Sequence, residues 1–103
     1  MANEPVRSAA VGAGRMGRGI AIAFAYAGHR IALVDLRVRS EEAWNRLHDE
    51  ARQEIAASLA GLAQPGVIDA AQAEAIAARV QYVRAAQAPA ALAQAERVIE
   101  GVP

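Results

Sequence analysis

The seven residues Val11-Gly12-Ala13-Gly14-Arg15-Met16-Gly17 restrict the fold more than any other part of the chain. They follow an apolar run, Val6 to Val11, and open a segment in which Met16, Ile20, Ala23, Phe24 and Ala27 recur at helical spacing. The glycines therefore fall on a strand-to-helix turn. Gly12 lets the chain reverse as it leaves the strand, Gly14 lets the backbone come close to a diphosphate, and Gly17 lets helix and strand pack together. Free N–H groups and the positive end of the helix can hold phosphates there without a lysine. A phosphate loop of the Walker kind needs Gly-Lys-Ser/Thr, and Arg18-Gly19 does not supply it.

The residues that follow give the turn its context. The helix predicted over 16–27 ends at Gly28, and Ile31 to Val34 is a short run suited to a buried parallel strand. Asp35 stands at its end, about 20 positions beyond the glycines, where a carboxylate accepts from both hydroxyls of an adenosine ribose. Strand, turn, capped helix, strand and acid in this order are the βαβ fingerprint of a dinucleotide site. Leu36 and Arg37 lie in the loop beside the acid. Arginines at this place, here Arg37 and Arg39, can bind the 2′-phosphate of NADP, whereas Asp35 repels it. The acid holds the more direct position, so the expected cofactor is NAD. Both arginines are read as solvated surface, with stacking of Arg37 on adenine as the functional alternative.

With 103 residues the chain forms one small domain. Hydrophobic residues make up 54% and charged ones 21%, a globular composition. Eleven bases balance eleven acids, so no nucleic-acid partner and no membrane surface is expected. All the bases are arginine, which removes Schiff-base chemistry, and the absence of cysteine removes disulfides, thiolate metal sites and a cysteine nucleophile. No metal site is expected. Without a signal-like or bilayer-spanning run, the expected location is cytoplasmic.

Further along, Ser40 is suited to cap a helix whose stripe runs through Trp44, Leu47, Ala51, Ile55, Leu59 and Leu62, until Gln64-Pro65-Gly66 stops it. At ~1.5 Å per residue such a helix reaches about 34 Å, so part of it projects beyond a compact sheet. A second helix starts after Asp69, with Gln72 reaching back to complete a capping box. The two form a helical hairpin over about 40–79. Val80 to Val83 is the third strand, a short helix runs from Pro89 to about Ala95, and Arg97 to Val102 is the fourth strand. Right-handed crossovers then give an α/β fold, a Rossmann-type parallel sheet of order 3-2-1-4 with an inserted hairpin, incomplete as a Rossmann fold. The apolar edge of the fourth strand suggests a piece of a longer enzyme, and a homodimer stays open.

Taken together, Val11 to Ala21, Ala27-Gly28-His29, Val34-Asp35 and Val98-Ile99-Glu100-Gly101-Val102 resemble the N-terminal NAD-binding domain of the L-3-hydroxyacyl-CoA dehydrogenase family. The resemblance implies that Gly12, Ala13, Gly14, Met16 and Gly17 surround the diphosphate, Asp35 the ribose, and Glu100, Gly101 and Val102 the approach to the nicotinamide. It also implies an acyl-CoA substrate whose 3-hydroxyl gives up its proton to a histidine held by a glutamate, with a serine and an asparagine assisting. These four lie downstream of the fourth-strand motif in the family, so no catalytic residue is expected in this chain. His29 and His48 match neither its position nor its motif and are read as surface residues. The family hairpin contributes a serine and a basic residue to the CoA site: Ser58 matches the serine, while the basic position falls on Pro65. The alternatives are a non-catalytic NAD-binding module, a self-associating fragment, and part of a related 2- or 3-hydroxy acid dehydrogenase.

Overall fold

Four short parallel strands, β1 (Ser8–Val11), β2 (Ile31–Val34), β3 (Val80–Val83) and β4 (Arg97–Glu100), form one sheet of order β3-β2-β1-β4 in the computed structural model, which describes residues 5–100. This is the order expected from the sequence. The strand paired on both sides, β1, is built from small residues, and its Ala9 and Ala10 are fully buried. Side chains that thin let helices approach the sheet from both faces.

The helices divide between those faces. Ala10, Ile31, Leu33 and Val80 meet Ala21 and Ala25 of α1 (Arg15–Tyr26), Ala51, Ile55 and Leu59 of α2 (Glu41–Ala63), and Ile76 of α3 (Ala70–Ala77). Ala9, Ala32, Val34 and Val83 face the other way, toward Ala88, Ala91 and Leu92 of α4 (Ala88–Gln94), which follows a 3₁₀ turn at Ala85–Gln87. Alternate strand residues thus feed two separate cores, as a parallel sheet covered on both sides requires.

The turn chemistry is the one the sequence specifies. Gly28, with φ 101°, ends α1: its N–H donates to the Ala25 carbonyl and that of His29 to the Phe24 carbonyl, the double bond of a left-handed cap. Gly66, with φ 81°, ends α2 in the same way through Ala63 and Leu62. Ser40 Oγ accepts from Ala43 N–H at 3.1 Å, and Asp69 and Gln72 form the reciprocal box that starts α3. α2 lies against α1 and α3.

One strand boundary differs from the sequence reading. The first strand begins at Ser8, not Val6, because its ladder starts where the Arg7 carbonyl accepts from the N–H groups of Glu96 and Arg97, at 2.6 and 3.0 Å. Val6 instead packs with the α4-side core. The expected end of the fourth strand, Gly101 and Val102, lies outside the described residues.

Candidate dinucleotide site

The site is built at the carboxyl edge of the sheet. Val11 pairs in register with Val34 on one side and Glu100 on the other, and Gly12 N–H donates to the Val34 carbonyl at 2.8 Å. Gly12 and Asp35 therefore occupy the next step of neighbouring strands, whose spacing is about 4.8 Å. Glu100 stands on the far side of β1, exposed. Here the strand order reverses, the place where open parallel sheets bind ligands.

Gly12 and Gly17 do the structural work that their positions predict. Gly12 has φ 103°, a region side chains seldom adopt. A Cβ at Gly17 would sit 1.6 Å from the Gly12 carbonyl oxygen, so α1 can rest on the turn only with glycine there. At Gly14, which has φ −79° and precedes the first turn of α1, a Cβ would meet no heavy atom within 4 Å and would occupy open space before the helix. No side chain caps α1 and its first turn contains no acid, which leaves its leading N–H groups and positive end facing that space. Such a start fits a diphosphate. Ala13 is nearly buried behind the turn, and Met16 is 60% exposed in front of it.

Asp35 is 4% exposed, and its carboxylate is held from two directions. The Arg37 N–H donates to Oδ1 at 3.2 Å, and Arg39 donates through Nε to Oδ2 at 2.5 Å and through Nη2 to Oδ1 at 3.4 Å. Arg39 is thus not the solvated surface residue expected from the sequence: it neutralises the acid. Its neighbour Arg37 does project into solvent, as does Leu36. Beside them opens a cavity of about 350 Å³, lined by Arg37, Val38, Arg39, Trp44 and Arg84. Arg84 lies 5.4 Å over the Trp44 ring and donates to Glu41 at 2.8 Å.

Arg18 is a second residue whose role is visible only in three dimensions. Its side chain is 11% exposed; Nε donates to the Ala13 carbonyl at 3.0 Å, Nη1 to Glu54 at 2.6 Å and Nη2 to Glu50 at 3.4 Å. One guanidinium ties the glycine turn to the hairpin. Glu50 and Glu54 share one face of α2, four residues apart, and Ser58 continues it, exposed, one turn further on. His29 is exposed, as read, but His48 is half-buried: its ring stacks on Trp44 at 5.7 Å and meets Tyr82 edge-on at 4.6 Å. Tyr82 is partly buried, and that burial pushes its hydroxyl above the ordinary tyrosine range, with Arg52 and Arg18 opposing the shift. No metal-binding group of acids and histidines is found among the described residues, and no helix there is long and apolar enough to cross a membrane.

Residues 7–103 match the family model of the 3-hydroxyacyl-CoA dehydrogenase NAD-binding domain. The chain belongs to the 3-hydroxyacyl-CoA dehydrogenase family. Its cofactor domain is the one that binds NAD. Among solved structures it is similar to 3-hydroxybutyryl-CoA dehydrogenase from Escherichia coli K12, with 34% identity and a TM-score of 0.70 over 94% of this chain and 18% of that one. It is similar also to FadB2 of M. tuberculosis, with 25% identity and a TM-score of 0.75 over 98% of this chain and 32% of that one. A third, (S)-3-hydroxybutyryl-CoA dehydrogenase PaaH1 from Ralstonia eutropha, gives 27% identity and a TM-score of 0.71 over 97% of this chain and 32% of that one. The chain thus spans a third or less of these family structures. A search of the curated proteins returns no match.

Proposed function

We propose that this chain is the cofactor-holding part of an NAD-dependent 3-hydroxyacyl-CoA dehydrogenase, in which hydride passes between the 3-carbon of an acyl-CoA and the nicotinamide. The observation that carries this reading is the bare start of α1 at Gly14, one strand away from a buried acid. NAD, when bound, supplies the hydride acceptor. The protein's own part is binding and orientation. In this reading the N–H groups after Gly14 hold the diphosphate, Gly12, Ala13 and Met16 shape its bed, and Gly17 fixes the helix that presents it. Asp35 accepts from the ribose hydroxyls with the lone pairs that Arg39 and the Arg37 N–H leave open, since a carboxylate offers about four acceptor sites. Leu36 and Arg37 border the adenine, and Glu100 stands on the nicotinamide side of β1. Ser58 is the hairpin's candidate contact to the acyl-CoA, on the face already tied to the turn through Arg18.

Titration of the 103-residue chain with NADH tests the reading. Binding is expected, together with no oxidation of NADH by acetoacetyl-CoA, since neither His29 nor His48 matches the position or motif of the family's catalytic histidine. Asp35→Ala is expected to weaken NADH about tenfold or more, the worth of hydrogen bonds to a charged acceptor. Failure to bind NADH refutes the proposal. Turnover by this chain would place the proton-transfer groups within it and overturn the division of labour.

A further inference from the structure

The acid that discriminates against a phosphorylated ribose is already neutralised. A free carboxylate at the end of the second strand repels a 2′-phosphate, which is the usual basis of preference for NAD over NADP. In this chain both oxygens of Asp35 are engaged by Arg39, the side chain of Asp35 is 6% exposed, and Arg39 keeps 25% exposure and lines the cavity. Arg37 lines the same cavity, is exposed, and its guanidinium has no partner among the described residues. Arg84 adds a third guanidinium to the lining, held over Trp44 and paired with Glu41. The charge facing the cavity from this loop is therefore positive despite the acid. A dianionic phosphate has three acceptor oxygens that a guanidinium fork matches.

Resting on the dinucleotide reading above, we infer that the cavity between Arg37, Arg39 and Arg84 receives the 2′-phosphate of NADP(H), so that this chain takes both dinucleotides. Arg39 is the residue that permits it, by screening Asp35, and Arg37 is the one that contacts the phosphate. The shared chemistry, a phosphorylated adenosine ribose, also occurs in coenzyme A, where the phosphate is on the 3′ oxygen.

The chain contains one tryptophan, and Trp44 lines the cavity, so its fluorescence reports occupancy directly. NADPH is expected to bind within about tenfold of NADH, where an unscreened carboxylate facing a phosphate would separate them by more than about a hundredfold. Arg37→Ala is expected to raise the ratio of the NADPH to the NADH dissociation constant about tenfold, and Arg37→Lys to restore part of it. In competition, 2′,5′-ADP should displace NADPH at least about tenfold more effectively than 3′,5′-ADP. A chain that binds NADH but separates the two dinucleotides by more than a hundredfold, or whose ratio does not move in Arg37→Ala, overturns this inference alone. Displacement by 3′,5′-ADP as effective as by 2′,5′-ADP overturns the 2′ assignment. If neither dinucleotide binds, the proposed function falls first and this inference with it.

Discussion

Gly14→Ala and Gly17→Ala, three positions apart in one turn, are expected to fail in opposite ways. At Gly17 the new Cβ would lie 1.6 Å from the Gly12 carbonyl oxygen and 2.9 Å from its carbon, both backbone atoms that no rotamer change can move. α1 must therefore withdraw from β1 by roughly 2 Å to restore an ordinary contact. That retreat loosens Ala21 and Ala25 against Ala10 and Leu33, and the alanine methyls of the helix are too short to keep that contact. The cost exceeds ordinary overpacking and comes to about 3 kcal/mol or more, which lowers the melting temperature of a domain this size by roughly 12–24 °C.

At Gly14 the same methyl meets nothing within 4 Å, and φ −79°, ψ −168° is backbone an alanine adopts freely. Alanine is a poorer cap than glycine but has less freedom to lose from the unfolded chain, and the two effects cancel to within about 1 kcal/mol. Its methyl does occupy the approach to the leading N–H groups. Losing the charge-assisted hydrogen bonds made there costs about 2–3 kcal/mol of affinity, roughly 30- to 150-fold. Thermal melts followed by circular dichroism, with calorimetric titration of NADH into each variant, separate the outcomes. A Gly17→Ala protein that melts with the parent, or a Gly14→Ala protein that melts with it and also binds NADH as tightly, would refute the reasoning.

Three other perturbations have defined outcomes. Removing Arg18 and Glu54 singly and together should give a coupling of about 1 kcal/mol in urea unfolding, since the pair is half-shielded from solvent, and additive losses would mean that the contact adds nothing. Asp69→Ala should cost about 1 kcal/mol by opening the capping box of α3; an unchanged unfolding midpoint would show the box to be without weight. The raised pKa of Tyr82 makes the folded state hold its proton above the ordinary value of 10.0, where the unfolded chain releases it. The unfolded state then binds fewer protons, so stability falls as pH rises above 10.0 and is unaffected well below it; Tyr82→Phe should flatten that part of the alkaline unfolding curve, and an identical curve would contradict the assignment.

What was legible in the sequence was whatever depends on backbone and local spacing. Gly12, Gly14 and Gly17 announce a turn because each position demands an absent side chain, and Asp69 with Gln72 announces a helix start because the partners are three residues apart. Arg18 was illegible as a latch, since Glu50 and Glu54 lie 32 and 36 residues away and only the packing of α2 on α1 brings them together. Arg39 was misread for a different reason. Its partner is four residues away, but in a loop, where the helical rule for such pairs gives no warning that the side chain folds back. His48 lies one helical turn from Trp44, so their stacking was within reach of the pattern, whereas the edge of Tyr82 arrives from β3.

The contrast among helix starts points to where the chain spends its polar side chains. Ser40 caps α2 and places Glu41 and Glu42 in its first turn; Asp69 caps α3 with Gln72 answering; α4 carries a proline in its first turn, whose missing N–H needs no partner. α1 alone of the longer helices begins with neither a capping side chain nor an acid, and it is the helix that starts at the carboxyl end of the central strand. A capping serine or aspartate at Gly14 would stabilise α1 by roughly a few tenths of a kcal/mol, yet its oxygen would take the same N–H groups that a diphosphate needs. The fold forgoes that local gain and anchors the turn from behind instead, through Arg18 to the Ala13 carbonyl and to the hairpin. The turn is thus tied down by contacts that leave those N–H groups open.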